Sequence, residues 1–335
     1  AALLLCARSV QLLGGYYEMN VVDRLVVRFK TVLLPLLKKG FWALGDQGLF
    51  SGSNFVLNIL MARWLSPEAY GAFTVTYTVF LFLGAVHNGF FVEPMLVFGN
   101  DRYENRFPKY LNVLMRGHVG FSAFCGCGVF LAAWYFNETG GEQIAEVLFV
   151  LAGGQCLILF LWLARRVAYV DLNPQIATSG GVVYAILMLA GATWLNYNNW
   201  LSAGTVLGLM SVSSLAAGCW IIAWTRNDLT VASLMAVDSL DTVVALRHWR
   251  YGRWAAAIGG LNMIPGHLGF LLLPTWGGLE ASASLKALSN LALPARHAYS
   301  ALAPLLLPKM VRARKEDRLP SFVLLCVVVQ ILGIG

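Results

Sequence analysis

The chain has 335 residues, of which 58% are hydrophobic and only 12% charged; a soluble domain usually carries roughly 25% charged residues to coat its surface. Its long apolar runs, separated by short basic or polar stretches, instead point to lipid as the solvent. The net charge of +7 is spread between those runs and not gathered on one domain, which excludes a nucleic-acid-binding domain as its explanation.

Residues 1–17 form an apolar patch interrupted by Arg8 and Gln11, too short and too polar to cross a bilayer. No initiating Met precedes it, Met19 follows it and no cleavage site is evident, so it reads as a leader without a structural role. Residues 20–39 read as an amphipathic helix on the cytoplasmic surface, which makes 1–40 one peripheral segment. Spans are expected at 41–62, 70–92, 112–135, 143–164, 175–195, 200–224, 254–274, 280–307 and 320–335. The last gives only about 24 Å of helix, so the chain reads as cut short inside a ninth span. Strict alternation is absent and the runs are rich in Leu, Ala and Gly, so the fold class expected is an all-α polytopic bundle and not a β-barrel.

Lysines and arginines test this map. One set of connections holds Arg24, Arg28, Lys30, Lys38 and Lys39, then Arg102, Arg106, Lys109 and Arg116, then Arg165 and Arg166, then Arg226, Arg247, Arg250 and Arg253, then Lys309, Arg312, Arg314, Lys315 and Arg318. The opposite set holds only Arg63. That asymmetry puts the N-terminal segment in the cytoplasm and the connections near 63–69, 136–142, 196–200 and 275–279 outside.

A helix over 229–250 has Leu229, Leu234, Val237, Leu240, Val244 and Trp249 on one side and Asp238, Asp241, Arg247 and Arg250 outside it. It reads as a cytoplasmic linker, 226–252, between a first six-helix lobe, 41–225, and a partial second lobe, 253–335. A 212-residue shift aligns Gly40 with Gly252, Trp42 with Trp254, Gly48 with Gly260, Leu60 with Leu272, Trp64 with Trp276 and Glu68 with Glu280. Two bundles related by an axis along the membrane normal would produce this echo.

Polar side chains inside spans are costly and face a bundle interior or water. In the first span Gln47, Ser51, Asn54 and Asn58 share one narrow arc, with Asp46 and Ser53 beside it. They are either the wall of a hydrated cavity or interhelical hydrogen-bonding groups. In the eighth span Lys286, Asn290 and His297 share an arc bordered by Arg296, and are either cavity-lining cations or partners of acids such as Asp46 or Glu93. Thr74, Tyr77, Thr78 and Asn88 form a weaker stripe on the second span, with His87 off it in a structural position. Arg116 and His118 are expected to snorkel to the surface from the start of the third span. Glu93-Pro94 reads as an interface anchor, and the six cysteines, Cys125 and Cys127 included, read as packing residues.

The stretch Ala43 to Phe73, ALGDQGLFSGSNFVLNILMARWLSPEAYGAF, resembles the first helix, outer turn and second-helix start of polysaccharide-biosynthesis flippases in the multidrug/oligosaccharidyl-lipid/polysaccharide (MOP) exporter superfamily. Met61-Ala62-Arg63-Trp64-Leu65-Ser66-Pro67-Glu68-Ala69-Tyr70-Gly71 is similar to the family's L-A-R-x-L-G-P-E-x-Y-G, with Ser66 in place of the usual Gly. Arg165-Arg166-Val167-Ala168-Tyr169, before the Leu172-Asn173-Pro174 turn, is a second similarity. The turn also has a local reading: Ser66 suits an N-cap, and Pro67 and Glu68 suit a first helical turn.

The resemblance implies a two-lobe fold around a central cavity that opens alternately to each side. The implied partner is a lipid-linked oligosaccharide, moved from the cytoplasmic to the outer leaflet of a bacterial inner membrane, with a coupling cation or proton. Asp46, Gln47, Ser51, Asn54, Asn58, Lys286, Asn290, Arg296 and His297 would then line the path, the cations attracting the lipid's pyrophosphate. Cation-coupled multidrug efflux, with Asp46 as the coupling acid, is the alternative. A membrane polymerase or ligase is disfavoured, because the outer connections are short and no phosphate-cradling loop, His-Glu-x-x-His or Asp-rich loop is present. No enzyme activity, cofactor or nucleic acid is implied.

Overall fold

The computed structural model describes residues 34–99, 102–225 and 240–290, with side chains from residue 40 onward. Every regular element among them is helical. In chain order they are α1 (Leu34–Trp64), α2 (Pro67–His87), a π turn (Asn88–Val92) leading into α3 (Glu93–Phe98), α4 (Phe107–Glu138), α5 (Glu142–Val170), α6 (Pro174–Tyr197), α7 (Ala203–Trp224), α8 (Leu240–Leu272) and α9 (274–290).

Among the described residues, six helical segments are long and apolar enough to cross a membrane: Pro67–Phe98, Glu104–Glu138, Glu142–Val170, Pro174–Tyr197, Ala203–Trp224 and Leu240–Leu272. They coincide with the second to seventh expected spans. The first, α1, is 31 residues long but falls outside the six, because its interior carries the polar stripe. The eighth is described only to residue 290, and the ninth, like the segment 1–33, lies outside the described residues.

Local chemistry sets the helix starts. The Ser66 hydroxyl accepts from the Ala69 amide at 3.2 Å, with Pro67 in the first turn and Glu68 against the helix's positive end. At the start of α7, the Ser202 hydroxyl accepts from the Thr205 amide at 3.1 Å while the Thr205 hydroxyl accepts from the Ser202 amide at 2.8 Å, a reciprocal cap that satisfies two otherwise orphaned donors.

The π turn also follows from the sequence. Pro94 has no amide hydrogen to return to the carbonyl of Phe90, four residues back, so the helical ladder breaks there. The Phe90 carbonyl instead lies 2.7 Å from Nδ1 of His248, on α8. Glu93 is not solely an anchor: its carboxylate accepts from the Asn88 amide side chain at 3.1 Å across the same turn.

Helix α5 is the centre of the bundle, packing against α2, α4, α6 and α7. Leu151, Ile158 and Leu159 are buried in one core with Phe73 and Phe80 of α2, Tyr184 and Met188 of α6, and Val206 and Leu207 of α7. Lipid tails are as apolar as these side chains, so close packing rather than escape from water holds the helices together. Small residues permit that closeness: a Cβ on Gly154 would lie 2.3 Å from the Ser211 hydroxyl, and one on Gly89 would lie 2.5 Å from the Ala256 backbone nitrogen.

Helix α1 packs along α6, whereas α2 packs along α5 and α8, so two helices joined by a short turn rest on different neighbours. Helix α8 runs without a break from the expected linker into the seventh span, carrying Val244, His248, Gly252 and Ala256 as a buried stripe. Trp249 stays 58% exposed while stacking on Phe90. Helix α8 ends at Leu272, where the 212-residue shift carries Leu60 rather than Trp64, so the two outer turns are not in register.

Cross-helix contacts sort the ends. Glu146 meets Ser202 at one end; Arg247 meets Tyr103, and Arg116 meets Asp241, at the other. Among the described residues, the second end gathers Arg102, Arg106, Lys109, Arg116, Arg165, Arg166, Arg247, Arg250 and Arg253, and Arg63 lies at the first. The charge asymmetry of the sequence is thus a property of the folded bundle.

Candidate functional site

Asp46 lies on α1, three turns from the helix start, and is fully buried. Arg165 of α5 binds it with two donors, Nε to Oδ1 at 3.0 Å and Nη2 to Oδ2 at 2.9 Å. The Tyr169 hydroxyl, one turn further along α5, donates to Oδ2 at 2.8 Å. Two parallel guanidinium hydrogen bonds are the geometry in which a carboxylate is held most firmly. Phe50 covers the guanidinium, 4.2 Å from its ring centre, and the Arg166 guanidinium lies 5.3 Å from the ring centre of Tyr169. Two charges removed from lipid and water alike are thus matched in sign and in hydrogen bonds.

The seam continues along α1. Tyr184 of α6 donates to Asn54 Oδ1 at 3.2 Å and packs its ring, tilted, against Phe50 at 5.2 Å, the ring that covers Arg165. Asn54 and Asn58 each donate to a carbonyl four residues back, at 2.8 Å. Asn58 Oδ1 is buried with no partner among the described residues. Gln47 donates to Ser51 at 2.9 Å on the exposed edge of the same stripe. Half of the stripe is therefore interhelical bonding, through Asp46 and Asn54, and half is open, through Gln47 and Ser51.

On α9, Lys286 is half-buried with its ammonium 5.8 Å from the ring centre of Tyr77 and 5.6 Å from that of Phe270, a cation facing two aromatic rings. Asn290 donates to the Tyr70 hydroxyl at 2.9 Å, and its own oxygen is buried without a partner among the described residues. Arg296 and His297 lie outside the described residues. Lys286 and Asn290 thus face Tyr77 and Tyr70 of α2, whereas the α1 stripe bonds to α5 and α6.

A second buried polar group joins α2, α4 and α5. His87 Nε2 and His118 Nδ1 are 3.0 Å apart, and His118 Nε2 is 3.7 Å from the Cys156 sulfur. His118 does not snorkel: α4 starts at Phe107, earlier than the expected span, which puts His118 three turns inside the helix and leaves it 2% exposed. Beside the pair, Phe90, Phe91, Phe121, Val244, His248 and Trp249 are among the residues lining an apolar cavity of ≈ 330 Å³.

Asp46 stands out in the sequence, but its pairing with Arg165 does not, and Tyr184 carries no sequence signal of its own. Arg165 and Tyr169 are visible as a motif; what could join them to Asp46 is that each occupies the basic-end turn of its span. Among the described residues no three His, Cys, Asp or Glu side chains converge as metal ligands.

These features define a class: a multi-pass helical membrane protein with a charged, hydrogen-bonded seam inside its bundle. No family model, curated protein or solved structure matches the chain.

Proposed function

We propose that this protein is an alternating-access transporter of the MOP exporter type that moves a lipid-linked oligosaccharide from the cytoplasmic to the outer leaflet of a bacterial inner membrane. The observation that carries this reading is the placement of Asp46, Arg165, Tyr169, Asn54 and Tyr184 as one polar seam across three helices of a lipid-embedded bundle, with the seam's edge, Gln47 and Ser51, still open. The ion pair fastens the seam, and the open edge is what remains to meet a substrate. A path for a sugar needs hydroxyl-bonding groups such as Gln47 and Ser51, and a path for a diphosphate needs cations such as Arg166 and Lys286. The basic end of the bundle faces the cytoplasm. Asp46 already accepts three hydrogen bonds, which argues against its serving as a freely exchanging coupling acid in a drug-efflux pump.

The test is to delete the gene in its host and measure the leaflet distribution of the lipid-linked sugar. Accumulation in the cytoplasmic leaflet, reversed by the wild-type chain and not by Arg166→Ala with Lys286→Ala, is expected. A distribution unchanged by deletion overturns the reading.

A further inference from the structure

Two histidines in contact inside a membrane bundle need an account, because neither packing nor the seam requires them. His87 is fully buried on α2, with Nε2 3.0 Å from His118 Nδ1 and its own Nδ1 without a partner among the described residues. His118 in turn reaches the Cys156 thiol through Nε2. Each neutral imidazole has one N–H and one lone pair, so the three groups form a directional chain ending at the open Nδ1 of His87. If Nε2 of His87 is the donor in the pair, Nδ1 carries a lone pair aimed at nothing, and a proton taken up there forms one N–H bond and breaks none.

Among the described residues, the groups that face the pair carry no charge of their own. From α2 and the π turn, His87 faces the ring of Phe91 at 4.9 Å; from α4, His118 and Phe121; from α5, His118 meets Cys156. Arg116, two residues from His118, is tied to Asp241 of α8 at 2.6 Å. Glu93 is engaged with Asn88. A further histidine, His248 of α8, bonds the Tyr110 hydroxyl at 2.8 Å and the Phe90 carbonyl at 2.7 Å.

The pair also sits on a joint. The π turn begins immediately after His87, and its far side is clasped by α8: His248 holds the carbonyl freed by Pro94, Trp249 stacks on Phe90 at 5.6 Å, and Gly89 meets the Ala256 backbone with no room for a side chain. Helix α8 thereby closes over the turn that leads to His87, and the apolar cavity lies between them. π turns in otherwise regular helices are frequent at functional sites.

We propose that the His87–His118 pair is the proton-binding site of this transporter, and that α8 gates it. With α8 clasped on the π turn, the pair is dry and a charge on it is costly. When α8 moves off Gly89, water reaches His87 and one proton binds, shared across the pair. A second cannot bind without breaking the bond between the rings. Proton occupancy and the separation of α8 from α2 therefore favour one another, as linkage between a ligand and a conformation requires. This rests on the alternating-access reading above and names the coupling ion and its site.

The experiment is 15N NMR of the histidine side chains in the full chain, reconstituted in lipid nanodiscs and titrated between about pH 8 and pH 5, where an unperturbed imidazole changes charge. The wild-type pair is expected to take up one proton, with simultaneous change at His248. Gly89→Ala, whose Cβ would lie 2.5 Å from the Ala256 nitrogen, wedges α8 away and is expected to raise the midpoint by roughly one pH unit, a tenfold gain in proton affinity. His87→Gln, whose amide can still donate to His118 Nδ1, removes the open nitrogen and is expected to abolish the uptake. A pair that stays neutral throughout in both wild type and Gly89→Ala, or a midpoint that Gly89→Ala leaves in place, overturns the proposal. The readout is proton binding and not transport: a chain that titrates as described but moves no lipid-linked sugar removes only the substrate reading.

Discussion

The bundle buries two polar sites of opposite character on the same central helix. At Arg165 and Tyr169 of α5, both oxygens of Asp46 are bonded and the charges cancel. At Cys156, about two and a half turns earlier on α5, a thiol meets two rings that can each be neutral, with one nitrogen left over. A saturated ion pair has nothing further to bind and a high cost of separation; an unsaturated imidazole pair keeps an open lone pair and has little to lose by opening. The first therefore fastens α1 and α5 together, and the second is free to respond.

Removing one charge should separate the two sites most sharply. Arg165→Ala strands the buried Asp46 carboxylate, and breaking such a pair typically costs about 3–5 kcal/mol. Thermal unfolding in detergent should register this as a larger loss than either His87→Phe or Tyr184→Phe produces. Replacing both partners, Asp46→Leu with Arg165→Leu, should recover most of that stability, because an apolar pair needs no compensation. If the double variant is as unstable as the single one, the seam is held by more than its charge.

His87→Phe tests the opposite side. Phenylalanine keeps the ring contacts with Phe91 and Phe121 while leaving His118 Nδ1 without its partner. The expected loss is that of one buried polar group, about 1–3 kcal/mol, in the same unfolding assay. A loss matching that of Arg165→Ala would show that the histidines are as structural as the ion pair, and the contrast between the two sites would disappear.

The helical class, the order of the second to seventh spans and the gathering of basic residues at one end are all legible in the sequence, because hydropathy and charge are local properties that each segment carries alone. Asp46 stands out for the same reason, as an acid in an apolar run. Its partner does not: Arg165 is 119 residues away and, counted among basic connections, is indistinguishable from a topology marker. His118 shows how a boundary decides a residue's place. A span beginning at residue 112 puts it near the surface, whereas the helix begins at Phe107, and a difference of about one and a half turns moves it from surface to core. The π turn is encoded in Pro94, yet which donor takes up the Phe90 carbonyl depends on where α8 packs, and that is a tertiary fact.

The smallest effect probes how far the seam extends beyond its charges. Tyr184→Phe removes only the hydroxyl that donates to Asn54 at 3.2 Å and keeps the ring on Phe50. A neutral hydrogen bond is worth about 0.5–1.5 kcal/mol in general, and interhelical bonds in bilayers average about 0.6 kcal/mol, so the unfolding temperature should barely move. The telling measurement is a cycle with Arg165→Ala. Phe50 touches both Tyr184 and the Arg165 guanidinium, so if the seam acts as one unit the two substitutions should couple by about 0.5 kcal/mol or more. Strict additivity would divide it into an ion pair and a separate amide contact, leaving Asn54 available to a substrate rather than to the fold.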